Sequence, residues 1–194
     1  MQTIEEFKKR LEIQEEIFLT MIINYEDYKF LQKPDTQYEK ETINKNDFLQ
    51  RTKFNFWMIS IIDLCKLFGS KKEEYCFHKL ITLLEYNYWK SSWKQVMPRK
   101  TIRDLKLALN SKEVCNTTEK IVKLRNKLYA HRDGDFEKHF ADFRITLGEI
   151  DFLLELGKKI IFEINKSFFD SHTFFSVGGF QKAKSLVNRV DNLK

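Results

Sequence analysis

The chain has 194 residues and a formal net charge of +6, with 42% apolar and 14% aromatic residues. That length suits one domain better than two, and roughly 70% of the unfolded surface can be buried without a disulfide or metal staple. Six glycines and two prolines are too few for a turn-rich sandwich or barrel, and eighteen phenylalanines exclude a disordered chain.

The three cysteines, Cys65, Cys76 and Cys115, are scattered and form no CxxC pair. This argues against a disulfide framework or zinc ribbon and fits a reducing, cytoplasmic setting. The first sixteen residues, MQTIEEFKKRLEIQEE, are charged throughout and unlike a signal peptide. The most apolar stretch, Phe54 to Phe68, is broken by Asn55, Ser60, Asp63 and Lys66 and is too short and polar to span a bilayer.

The spacing of Phe7, Leu11, Phe18, Met21, Ile22 and Tyr25 predicts a first helix over 3–31, ended by Lys33-Pro34-Asp35. A polar loop is expected to about residue 44. A second helix, 46–68, carries one apolar stripe through Trp57, Ile61, Leu64 and Phe68, with Gly69 as its stop. Ser70-Lys71-Lys72-Glu73 reads as a capping box that opens a third helix to about Trp93. Pro98 breaks the chain before a short basic helix, 99–109, with Ile102, Leu105 and Leu109 inward. The next helix runs from Lys112 to Tyr129 or Ala130, followed by a turn at 131–135 and an ambiguous piece at 136–144. Thr146 to Glu149 is a second capping box, opening a long helix to about Phe169. A loop over 170–179 precedes a basic amphipathic segment, 180–193. No strand-like alternation or repeat stands out. The fold class is all-α: a bundle of five to seven helices with apolar faces wide enough for a dimer interface. Residues 1–170 are expected to be a single domain, with 171–194 a loop and helix docked on it.

Charge is unevenly spread. Residues 90–132 carry twelve Lys and Arg against three acids, a local +9 that leaves −3 elsewhere. Phosphates respond to local potential, although a solvated basic face is the plainer reading. The most informative stretch is Lys123-Leu124-Arg125-Asn126-Lys127-Leu128-Tyr129-Ala130-His131-Arg132-Asp133. An Arg-Asn pair followed by a His near the helix end, with AHRD continuing it, resembles the HEPN superfamily, in its abortive-infection, AbiU-like branch. Residues 64–85, LCKLFGSKKEEYCFHKLITLLE, are similar to that branch as well. The resemblance covers roughly 1–170 and is strongest at 57–85 and 120–133.

The resemblance implies a HEPN-like bundle and a homodimeric, metal-independent RNase of a phage-defence or toxin–antitoxin system. Arg125 and His131 of both subunits would line one cleft. Asn126, Tyr129 and Asp133 would support them, with Lys123, Lys127, Arg132, Arg99, Lys100 and Arg103 holding the RNA backbone. An antitoxin or other protein partner is also implied, with no membrane, cofactor or metal. The chemistry is coherent. RNA brings its own nucleophile, the 2′-OH. A histidine with an ordinary pKa of about 6.5 can take its proton. A planar, permanently charged guanidinium suits the charge that builds on the phosphate oxygens.

Other readings of these residues stay open. On a helical wheel Ile121, Leu124, Leu128 and His131 share one face, so His131 also reads as the edge of an apolar stripe. Arg125 lies about 120° from His131 on that wheel, so the pair needs an unwound helix end or a second copy to meet. A HEPN-like module without catalysis, binding RNA, a nucleotide or a protein, fits the same residues. So does a helical interaction protein unrelated to nucleic acid. His131, Asp133, Asp135 and His139 carry metal-ligand atoms without metal-site spacing, which suits a solvated turn. His78 and His172 suggest no site. Trp89 and Trp93, flanked by Lys90 and Lys94, could stack on bases, but aromatics at that spacing more often pack in a core.

Overall fold

The computed structural model describes residues 3–69, 72–89, 93, 96–130, 145–169 and 180–191, with the backbone alone for 127–130, 180–182 and 190–191. Among the described residues stand eight helices and no strand. They are α1 (Ile4–Gln32), α2 (Gln37–Lys45), α3 (Asp47–Phe68), α4 (Phe77–Asn87), α5 (Arg99–Leu109), α6 (Lys112–Ala130), α7 (Leu147–Phe169) and α8 (Phe180–Asp191).

α1 is the central element. Thr3 and Glu6 form a capping box at its start. Phe7, Leu11, Phe18, Met21 and Tyr25 are fully buried along one stripe. That stripe meets α3 and α7, and the Tyr25 hydroxyl donates to the Leu147 carbonyl at 3.0 Å, tying α1 to the start of α7. The aromatic core includes Phe18, Phe68 and Phe77, with Phe77 edge-on to both of the others. Trp93 is buried and edge-on to Phe7 and Phe168. The C-terminal part of α1 serves a second cluster, where Phe30 and Leu31 meet Ile43, Leu49, Ala183 and Val187. There the buried Asp27 carboxylate accepts the Ala183 N–H at 3.2 Å, an anion in the early turns of α8.

Three expectations are corrected. The segment before α3 is not a loop throughout, since 37–45 form α2. Thr36 and Glu39 make a capping box, and Ile43 gives the short helix its buried anchor. Glu73 does not open a helix. Residues 72–76 are turn, and α4 starts four residues later with Cys76 as an N-cap that makes no side-chain bond. α4 also stops at Asn87, short of Trp93. Gly69 does end α3, but with φ −64°, so the left-handed cap expected of a glycine is not used. The segments 131–144 and 170–179 lie outside the described residues. No helix among the described residues is long and apolar enough to cross a membrane.

One close approach sets the spacing of α1 and α7. A Cβ on Gly157 would meet the ring of the fully buried Phe18, lying 2.8 Å from its Cζ. Alanine gains about 1 kcal/mol of helix propensity, but forcing a methyl into a packed ring costs about 1–3 kcal/mol. The net cost is up to about 2 kcal/mol, so Gly157→Ala is expected to lower the melting temperature by up to about 8 °C; a raised value by calorimetry would refute that packing. Thiol accessibility offers a second check. Cys65 and Cys76 are buried and Cys115 is exposed. An aromatic disulfide reagent should titrate one thiol in the native protein and all three in denaturant.

Candidate functional site

α6 presents the residues singled out in the sequence. Its first turn is capped by Ser111, whose Oγ accepts the Val114 N–H at 3.3 Å. Val114, Thr117, Ile121 and Leu124 are buried, and α6 packs on α3. Burial of Leu124 fixes the rotation of the helix. Arg125 therefore emerges about 100° round, at the edge of the packed face.

The Arg125 guanidinium is held on two sides. Nη1 donates to Glu73 Oε1 at 2.8 Å, and Nε and Nη2 donate to Asn126 Oδ1 at 3.3 and 3.2 Å. The Arg125 and Glu73 side chains keep 24% and 32% of their surface in solvent. The pair is at the surface yet oriented. Asn126, read in the sequence as a supporting residue, does touch the guanidinium.

Glu73 was not foreseen as a partner. It belongs to the 72–76 turn, which α1 holds in place. Arg10 Nη1 donates to the Glu74 carbonyl at 2.6 Å, and Gln14 Nε2 donates to the Tyr75 carbonyl at 2.7 Å. Gln14 is fully buried, so the turn is fastened from inside the core. Gly69 is required by the end of α3 itself, since a Cβ there would run into the Cys65 carbonyl, while Glu73 Cγ would lie at ordinary contact distance. Beneath the pair, burial pushes the Cys65 thiol up to about 12; the Arg125 charge pulls it down and Glu73 pushes it up. Cys65 is thus a neutral packing group at ordinary pH, unsuited to nucleophilic work.

A cleft of about 470 Å³ lies where α6 meets the ends of α3 and α5 and the start of α4. Gly69, His78, Cys115, Thr118, Glu119 and Lys123 are among the residues that line it. Thr118 Oγ1 is buried there without a hydrogen-bond partner among the described residues. Lys123 does not reach outward alone. It pairs with Glu119 one turn back and holds that carboxyl below its ordinary value. His78, with no site suggested by its sequence context, is a half-exposed member of the cleft wall.

The remaining expected residues divide. Lys127 and Tyr129 belong to the last turns of α6, where the backbone alone is described, and His131, Arg132 and Asp133 lie outside the described residues. So does the His131, Asp133, Asp135 and His139 group. Among the described residues no three His, Cys, Asp or Glu side chains gather as a metal site would need. Arg99, Lys100 and Arg103 are exposed on α5, where Arg99 lies over the Trp89 ring. What the described residues bring together is a partly exposed guanidinium held by an acid and an amide, on the helix that also lines the cleft. A group of that kind can grip a phosphate oxygen.

The chain matches the family model HEPN_AbiU2, described as AbiU2, over residues 4–183. No curated protein and no solved structure matches it. The family match extends from the first helix into the last and includes the Arg125 stretch of α6, so the chain belongs to the AbiU2 family of HEPN proteins.

Proposed function

We propose that this protein is a metal-independent endoribonuclease of a phage-defence or toxin–antitoxin system, with Arg125 and His131 as its catalytic pair. The observation that carries the reading is the Arg125 guanidinium, oriented by Asn126 and Glu73 and with 24% of the side-chain surface in solvent. Membership of the HEPN_AbiU2 family supports it. In the proposed reaction the 2′-OH of RNA attacks the adjacent phosphorus while His131 takes its proton. The bond to the 5′ oxygen breaks, and that oxygen takes a proton from water. The products are a 2′,3′-cyclic phosphate and a 5′-OH. Arg125 stabilises the charge gathering on the non-bridging oxygens. Tyr129 and Asp133 orient His131, and Lys123, Lys127 and Arg132 hold the backbone. Two copies form one shared cleft, each supplying an Arg125 and a His131, and an antitoxin or other protein partner restrains them in the cytoplasm.

The Glu73 carboxylate favours a second reading. An arginine already paired with an acid can serve in a module that binds RNA, a nucleotide or a protein without cleaving anything.

Cleavage of RNA with EDTA present separates the two readings. Under the first, the parent protein leaves 2′,3′-cyclic ends. His131→Ala then lowers the rate about 10²- to 10⁴-fold, and Arg125→Ala about 10²- to 10³-fold. Absence of cleavage, or equal cleavage by parent and His131→Ala, would remove the catalytic pair and leave the binding module. Glu73→Gln keeps an acceptor for Arg125 and removes one negative charge next to the phosphate. At about 4 Å in water that charge is worth about 1 kcal/mol, so RNA affinity is expected to rise about 5-fold. Unchanged or weaker binding by anisotropy would show that phosphate does not meet Arg125.

A further inference from the structure

The basic charge of the chain is not equally available. Lys106 pairs with Glu85, Lys120 with Glu149, Lys123 with Glu119 and Arg125 with Glu73. Arg99, Lys100 and Arg103 are exposed and have no carboxylate partner among the described residues. All three are exposed on α5, whose buried side carries Ile102, Leu105 and Leu109; Lys100 points away from that side and Arg99 flanks it. Arg99 and Arg103 are one turn apart and so share a face.

An exposed aromatic sits at the head of this row. Trp89, just past the end of α4, keeps 62% of its surface in solvent, whereas Trp57 and Trp93 keep 6% and 4%. The Arg99 guanidinium lies 4.8 Å from the centre of the Trp89 ring, and Tyr88 meets that ring edge-on at 5.4 Å. α5 runs back alongside α4. Arg99 at its start meets Trp89, and Lys106 near its end meets Glu85. A guanidinium laid over an indole directs its N–H donors sideways, in its own plane, where phosphate oxygens can take them. The indole supplies a flat, sequence-blind stacking surface beside them.

We propose that the seam between α4 and α5 is a contact site for single-stranded RNA, with Trp89 stacking on an unpaired base and Arg99 and Arg103 taking the flanking phosphates. Lys100 adds to the same local potential. This inference rests on the reading that the protein acts on RNA, and it places part of the grip on a different helix pair from the proposed catalytic residues. Charge alone would suit an acidic protein equally well. The exposed indole, with a cation over its ring, favours a ligand made of alternating flat rings and phosphates.

The test uses a 2′-O-methyl oligonucleotide, which lacks the nucleophile and survives any cleavage activity. Binding is read by anisotropy of a labelled strand and by intrinsic tryptophan fluorescence. Since Trp57 and Trp93 are buried, quenching on binding reports Trp89. Trp89→Ala is expected to weaken single-strand binding about 5- to 100-fold and to abolish the quenching. Trp89→Phe should restore most of the affinity without the quenching. Arg103→Ala should weaken binding and flatten the dependence of log K on log salt by about 0.7. The duplex of the same strand should bind less tightly than the single strand. Single-strand affinity unaffected by Trp89→Ala and Arg103→Ala would overturn the site while leaving RNA binding elsewhere intact. No binding by the parent protein at all would overturn both this site and the RNA reading. Displacement by polyglutamate as readily as by the oligonucleotide would assign the patch to an acidic protein and overturn the nucleic-acid contact.

Discussion

A 29-residue helix buried along most of its length has to be wrapped on more than one side, and α1 imposes that demand on the rest of the chain. Its stripe from Phe7 to Tyr25 is completed by α3 and α7. Its last two turns face another way, and Phe30 and Leu31 need α2 and α8 to cover them. The glycine at 157 follows from the same demand. Helices approach closely where one of them gives up a side chain, and here Phe18 fills the space that a Cβ would take.

The control of α1 reaches the candidate site through hydrogen bonds. Gln14 and Arg10 donate to successive carbonyls of the 72–76 turn, and that turn delivers Glu73 to Arg125. A buried amide spends its donors where the backbone offers an acceptor, because an unmade bond inside the core costs about 1–3 kcal/mol. The turn is thereby held more firmly than its exposed position suggests. The Arg125–Glu73 pair itself is partly solvated, and such pairs contribute about 0–1 kcal/mol. Glu73 therefore aims the guanidinium at little cost in free energy.

Much of this architecture was legible in the sequence, for identifiable reasons. α5 and α7 begin where the sequence places their starts, at Pro98 and the Thr146–Glu149 box, and α6 begins at the expected Lys112. α2 was not legible from periodicity, because Ile43 is its one fully buried apolar anchor, although its Thr36–Glu39 box was in plain view. The Ser70–Glu73 box misled for the converse reason. A capping pattern states what a glutamate can do locally, and Arg125, 52 residues away, makes a charged offer that a local pattern cannot register. Trp89 and Trp93 show the same limit. Four residues apart, they would share a face of one helix, but α4 ends at Asn87, so one ring enters the core and the other stays outside. The resemblance located Arg125 and Asn126, while the acid that positions Arg125 came from the fold.

The pairing of the cations bears on how binding and chemistry can be divided. A group that must hold a developing charge gains from being oriented beforehand, since it then spends no reorganisation at the moment of reaction. An acid partner supplies that orientation and lowers the resting attraction for anions. A group that must draw a strand from solution gains from the opposite condition, an unneutralised charge acting over roughly 8–10 Å at physiological salt. In this chain Arg125 is paired and oriented, whereas Arg99, Lys100 and Arg103 are unpaired among the described residues and exposed. The same +9 segment thus holds cations of both kinds. Under the proposed function, one kind suits a phosphate at the reacting centre, and the other suits the strand on either side of it. If both acted on one RNA, salt would weaken capture through α5 far more than it would disturb the geometry at Arg125, because screening acts most strongly on exposed charge.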